Sequence, residues 1–384
     1  MIYLDNAATT FPRPERVLMA MLRGYAEFGC SPNRGGYDAA VRVGDLVTAV
    51  RRKAARLFGL TDPDRVAFAA NATDALNTAM LGLLRPGDHV AATRLEHNSV
   101  LRPLHHLKQR GWIEYDLVPF DGQGFIEPQG LARALRPNTR LVIVNHASNV
   151  LGTVQPIEEI GRVCRERGVL FLVDAAQSAG LIPIDMPAAR VDILAFTGHK
   201  ALLGPAGIGG LALGPGVEIE PSRFGGTGVD SHSLEHTRSL PHRLEAGTPN
   251  LPGIIGLGAG LDLLEEEGLE RIREREMVLA RALWDGLEGL SGIVLYGGRP
   301  SDRHVPVLSV AVRDKPASAV GEILDGDFDI AVRTGLHCAP LVHQDLGTAE
   351  QGTVRFSIGY MNTRADIDRV IEAMGRMAGS GKSR

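Results

Sequence analysis

The chain has 384 residues, too many for one ordinary hydrophobic core, and at roughly 150 residues per domain it predicts two domains. Hydrophobic residues make up 44%, charged residues 22% and aromatics 5%, a balance that excludes extended disorder. A formal net charge of -4 leaves no basic face on average, so nucleic acid and anionic membranes are not expected as partners and small-molecule chemistry is favoured.

The opening Met1-Ile2-Tyr3-Leu4-Asp5 lacks the basic and apolar regions of a secretory signal, and no apolar run is long enough to span a bilayer. A cytoplasmic location is expected. Cys30, Cys164 and Cys338 form no CxxC pair, as in a reducing compartment.

Apolar runs at 66–69, 88–92, 141–144, 169–173 and 193–196 alternate with helical stretches. Being apolar at nearly every position, they predict strands of a mostly parallel sheet covered by helices on both faces. Polar residues follow each run: Asn71-Ala72-Thr73, Glu96-His97-Asn98, Ser148-Asn149, Asp174 to Gln177 and Thr197 to Lys200. Open α/β sheets bind ligands at the carboxyl ends of their strands, so one shared site is expected.

From Leu261 to Leu290, Glu, Arg and Leu at helical spacing predict one long helix. Strands at 307–312, 329–333 and 354–358, with helices at 317–324 and 364–377, then predict a small α+β domain. Residues 15–260 are accordingly assigned to a large domain, 1–14 and 261–378 to the small one, and 379–384 to a frayed tail.

Asp174 closes one apolar run and Lys200 follows the next. Alone, such a pair reads as a structural ion pair. Its surroundings change that reading. Thr197-Gly198-His199-Lys200 sets a hydroxyl, a glycine and an imidazole beside the amine, as needed to hold a phosphate while the lysine forms a Schiff base. Asn71-Ala72-Thr73 leads into a helix whose first amides can hold the same phosphate.

Seven segments, at 3–10, 95–99, 148–152, 174–178, 197–200, 245–250 and 333–339, then stand in an order that resembles the cysteine desulfurase and selenocysteine lyase family. That family lies among the class V aminotransferases of pyridoxal-phosphate (PLP) fold type I. The resemblance implies a seven-stranded large domain, PLP as cofactor, and L-cysteine, or selenocysteine, as substrate. It makes Lys200 the Schiff-base residue, Asp174 the partner of the pyridine nitrogen, Gln177 a hydrogen-bond partner of the ring hydroxyl, and His97 the residue stacked on the ring. Thr73, Thr197 and His199 would hold the phosphate, with Thr248 reaching in from the second subunit of a homodimer. Asn149, Arg333 and Arg355 would bind the substrate carboxylate, for which arginine offers a planar two-donor fork. Cys338 would take the sulfur as a persulfide and pass it to an acceptor protein, as in iron–sulfur cluster assembly.

Cys338 stands beside His337 and near Arg333, a setting that favours the thiolate. Cys164, on an amphipathic helix, reads as a buried apolar residue, and Cys30 lacks any partner motif. His337, Cys338, His343 and Asp345 match no strong zinc spacing, so no metal is expected. The glycine-rich stretch 204–210 enters a strand instead of opening a helix, which excludes a dinucleotide loop. Four positions depart from the family pattern: Leu336 stands where a second His is common, Thr197 where Ser is usual, Asn71-Ala72 replaces Gly-Thr, and Tyr37 lies near where relatives often have His. Selenocysteine lysis, C–S β-elimination and transamination are alternatives with the same cofactor. A cofactor-free binding protein would require a merely structural Lys200.

Overall fold

The computed structural model describes residues 1–32, 37–230 and 232–379. Residues 33–36 and most of the expected tail, 380–384, lie outside the described residues. Strand β1 (Ile2–Tyr3) precedes helices α1 (Glu15–Phe28) and α2 (Asp38–Leu57). The large sheet is then laid down by β2 (Val66–Ala69), β3 (Asp88–Thr93), β4 (Ile113–Val118), β5 (Thr139–Asn145), β6 (Leu170–Asp174), β7 (Ile193–Thr197) and β8 (Gly209–Leu213). Helices α3 (Ala72–Leu83), α4 (Asn98–Gln109), α5 (Pro128–Ala134), α6 (Ile157–Arg167) and α7 (Met186–Ala189) connect them. The strands lie in the order β2-β8-β7-β6-β5-β3-β4. β8 runs antiparallel to both neighbours, and the pairs from β4 to β7 are parallel.

The continuous apolar runs follow from the two-sided cover. In β6, Phe171 and Val173 enter the core shared with α2 and α6, whereas Leu172 enters the opposite core with α3 and α4, and all three are fully buried. Period-2 alternation thus sorts one strand's side chains into two cores, each needing apolar groups. The edge strand β4 was not expected from the sequence. Glu114, Tyr115 and Asp116 meet solvent along it, so its run is broken by polar residues.

The remainder comprises α8 (Leu251–Glu267), α9 (Leu269–Glu288), β9 (Ile293–Tyr296), β10 (Val307–Val312), α10 (Ala317–Phe328), β11 (Ile330–Ala331), β12 (Arg333–Gly335), α11 (Pro340–Asp345), β13 (Thr353–Ser357) and α12 (Arg364–Gly379). The single helix expected over 261–290 is two helices, because Gly268 at φ 84° breaks the ladder between α8 and α9. Leu261 and Leu264 of α8 pack with the large sheet, while Leu279, Leu283 and Leu287 of α9 join a separate core with α10 and α12. The strand expected over 329–333 is likewise divided. Asp329 sits in the left-handed region as the C-cap of α10, β11 pairs in parallel with β1, and β12 pairs with β13 in the antiparallel sheet β12-β13-β10-β9.

Candidate active site

Three neighbouring parallel strands end together. Asn145 is in register with Asp174, and Asp174 with Ala195, which places the Asp174 carboxylate at the sheet's carboxyl edge. Asp174 is 3% exposed, and its Oδ1 accepts from the Ala176 N–H at 2.9 Å. Burial pushes this carboxyl up, while the amide bond and the Lys200 charge act against the rise. Lys200 lies three residues past β7 in a turn closed by Leu203 N–H on its carbonyl at 2.8 Å. The Thr10 hydroxyl donates to the same carbonyl at 2.9 Å. Burial brings the Lys200 amine down to about 8; Asp174 opposes that shift and the positive Arg355 and Arg333 add to it.

On one side of Lys200 lie donors for an anion. Helix α3 directs its first amides towards this end, since the first turn of a helix has no intrahelical carbonyl to meet. Thr73 belongs to that turn, and the buried Thr197 Oγ1 has no hydrogen-bond partner. His199 contacts Thr9 Oγ1 through Nδ1 at 3.1 Å, and burial beside Lys200 and Arg13 brings its imidazole down to about 4. Gly209 lets β8 lie against this turn, because a Cβ there would stand 2.5 Å from the Phe196 carbonyl oxygen and 2.9 Å from Asn71 Cα. His97 caps α4, its Nδ1 accepting from Ser99 N–H at 3.1 Å. Burial and the positive charge of Lys200 and Arg333 bring it down to about 4, so the ring is neutral at pH 7.

On the other side, β13 delivers Arg355, which is fully buried. It pairs with Asp5 and donates to the Asn149 carbonyl at 3.2 Å, leaving Nε unpartnered. Arg333, opposite it on β12, reaches the Cys338 sulfur through Nη2 at 3.1 Å. Gln177 donates to the Ala7 carbonyl at 2.9 Å.

A cavity of about 460 Å³ joins these parts. Thr73, His97, Asn149, Asp174, Gln177, Thr197, His199, Lys200, Arg333 and Arg355, all read from the sequence, line it. Cys338, also read from the sequence, is not in the lining; it is tied to the lining residue Arg333. Thr248 is apart, exposed on a second cavity of about 230 Å³ beside Arg51, Phe68 and Asp74. The sequence reading missed Asn145, in the cavity wall, and Asp5, the counter-charge of Arg355. Asp5 had a signal in the segment 3–10; Asn145 ends an apolar run that names no chemistry. Glu96, named with the strand-end polar residues but given no role, is a fully buried carboxyl under the wall. Its Oε1 accepts from Thr93 at 2.6 Å and Asn145 N–H at 2.8 Å, and burial pushes it up to about 8. Among the described residues, no group of three His, Cys, Asp or Glu could hold a metal ion, and no helix is long and apolar enough to cross a membrane.

The donor set fits PLP. An amine low enough to be neutral in part at pH 7, a carboxylate beside it, and unpartnered donors at Thr197 Oγ1 and Arg355 Nε meet the aldehyde, the ring nitrogen and two anionic groups. The model of the class-V aminotransferases matches residues 2–370, and the chain belongs to that family of PLP-dependent enzymes. Within it, the chain stands among the cysteine desulfurases. It is 37% identical to a probable cysteine desulfurase of Methanothermobacter thermautotrophicus over 99% of this chain and 95% of that one. It is 32% identical to a cysteine desulfurase of Salmonella dublin, covering 98% and 93%. The apo cysteine desulfurase from Thermococcus onnurineus NA1 superposes with a TM-score of 0.92 at 33% identity, covering 99% and 95%. These matches carry the fold type I architecture with its seven-stranded sheet.

Proposed function

We propose that the chain converts L-cysteine to L-alanine and keeps the sulfur on Cys338 as a persulfide. The observation that carries this reading is the contact of 3.1 Å between Cys338 Sγ and Nη2 of Arg333, which lines the same cavity as Lys200. Lys200 would carry PLP, Thr73, Thr197 and His199 its phosphate, His97 and Gln177 its ring face and hydroxyl. When bound, PLP supplies an electron sink for the carbanion at the substrate Cα. Asp174 holds the proton on the pyridine nitrogen. Arg355 and Asn149 fix the substrate carboxylate, and Lys200 Nζ takes and returns the Cα proton. The Cys338 thiolate then attacks the substrate sulfur: the Sγ–S bond forms as the Cβ–S bond breaks, the released electron pair stays on carbon, and protonation there gives alanine.

Thr248, exposed on its own subunit, is read as completing the phosphate site of a second copy, in a homodimer. A cytoplasmic location, a separate sulfur-acceptor protein and a place in iron–sulfur cluster assembly complete the proposal, as does the division into 15–260 and 1–14 with 261–378; the separate core around α9, α10 and α12 supports the small domain, while Leu261 and Leu264 of α8 pack with the large sheet. The test is a product assay with L-cysteine and a thiol reductant. Sulfide and alanine in equal amounts support the reading; pyruvate in place of alanine sinks it.

A further inference from the structure

His337 and Cys338 have φ of 49° and 59°, two successive side-chain-bearing residues in the left-handed region. Neither prefers that conformation, so the surroundings must hold it. His337 Nε2 meets Thr353 Oγ1 at 2.9 Å, within the same lobe. Two further ties cross to the large sheet's side: Asn98 N–H donates to the Cys338 carbonyl at 2.8 Å, and Asn149 Nδ2 donates to the His337 carbonyl at 2.6 Å. Of these tethers, Asn149 alone lines the large cavity. It is 4% exposed, its Oδ1 has no partner, and its own carbonyl accepts from Arg355. A carboxamide has two N–H donors, and the His337 carbonyl takes one.

We propose that Asn149 is a positioning residue for Cys338. One N–H fastens the loop that carries the thiol to the cavity wall, and the other is left for the substrate carboxylate, so seating the substrate and setting the acceptor thiol are one event. The proposal rests on the reading of Cys338 as sulfur acceptor and of Asn149 as a carboxylate ligand. It assigns Asn149 a second task that carboxylate binding alone does not require.

Hydrogen–deuterium exchange on the PLP-loaded enzyme tests it, following peptides over 335–345 and over β6. Asn149→Ala removes the tie. Asn149→Leu removes it while filling the space, and so keeps the fold if the smaller residue does not. In either variant exchange over 335–345 should rise about fivefold, the factor one ordinary hydrogen bond supports, with β6 unchanged. Saturating L-alanine, which offers the carboxylate without the sulfur, should slow that exchange in the wild type and leave it unmoved in Asn149→Leu. Unchanged exchange over 335–345 in the variants overturns the proposal, and so does acceleration that extends equally to β6, the mark of general loosening. Exchange reads the fastening whether or not Cys338 accepts sulfur. Alanine formation by Cys338→Ala reads sulfur capture whether or not the loop is fastened.

Discussion

The wall around Lys200 and the loop around Cys338 solve opposite problems. Asp174 and Thr197 are the last residues of β6 and β7, in the middle of a sheet whose two faces are buried, and Lys200 follows in a closed turn. Their positions come with the fold. Cys338 rides on a loop between β12 and α11, in a backbone conformation its own chemistry disfavours, held by ties from outside. Groups that only need to bind can be rigid. A thiol with the role proposed for Cys338, meeting the substrate and afterwards handing on its sulfur, needs fastenings that can be released.

If that division is right, damage to the wall and damage to the loop should separate. Lys200→Ala should abolish covalent PLP and lower turnover by roughly 10⁴-fold or more. Borohydride fixation followed by peptide mapping checks it, and cofactor fixed at another lysine would break the assignment. Cys338→Ala should lower alanine release by roughly 10³-fold while leaving PLP content and cysteine binding in place. Absorbance titration beside alanine quantitation would show the separation; full activity would remove the loop from the reaction.

Asp174→Asn should cost turnover roughly 10- to 100-fold and PLP content little, because the phosphate donors remain while the ring nitrogen loses its counter-charge. Unchanged kcat would argue against the role. The low Lys200 amine adds a pH test on apoenzyme. With the amine at about 8, covalent loading requires the neutral form and should rise with pH, levelling above pH 8. An ordinary lysine would keep rising to about 10. The smallest effect is expected at the outer clasp of the loop, where Asp345 of α11 accepts two bonds from Arg94, both at 2.7 Å. Asp345→Asn should lower stability by about 1 kcal/mol or less in urea melts, with kcat unchanged.

The contrast also explains what could be read without coordinates. Wall residues announce themselves because apolar strands have sharp ends: Asp174 and Thr197 each close a run, and Lys200 lies just beyond. Edge strand β4 fails that test, alternating with Glu114 and Asp116. The break at Gly268 was hidden in a stretch with good helical spacing on both sides, since one glycine does not by itself end a pattern. Ties through main-chain atoms, such as Asn98 to Cys338, leave no mark on composition. Nor does the Thr248 segment declare its target: Thr248 lines the second cavity, whose Ala70 and Asp74 flank Asn71 and Thr73 of the large one, and is not itself in the large cavity's lining.

The seam between β1 and the last strands carries a further consequence, for the order in which the protein is made. Asp5, the counter-charge of buried Arg355, leaves the ribosome 350 residues ahead of its partner. Leu4, fully buried in the finished molecule, has its carbonyl engaged by the Ser357 N–H. The strands β2 to β8 can be complete while this opening segment still waits. A chain halted before β13 would therefore own Asp5, Asn149, Asp174, Lys200 and Arg333 and yet lack Arg355, so the proposed substrate-carboxylate site is completed last in synthesis.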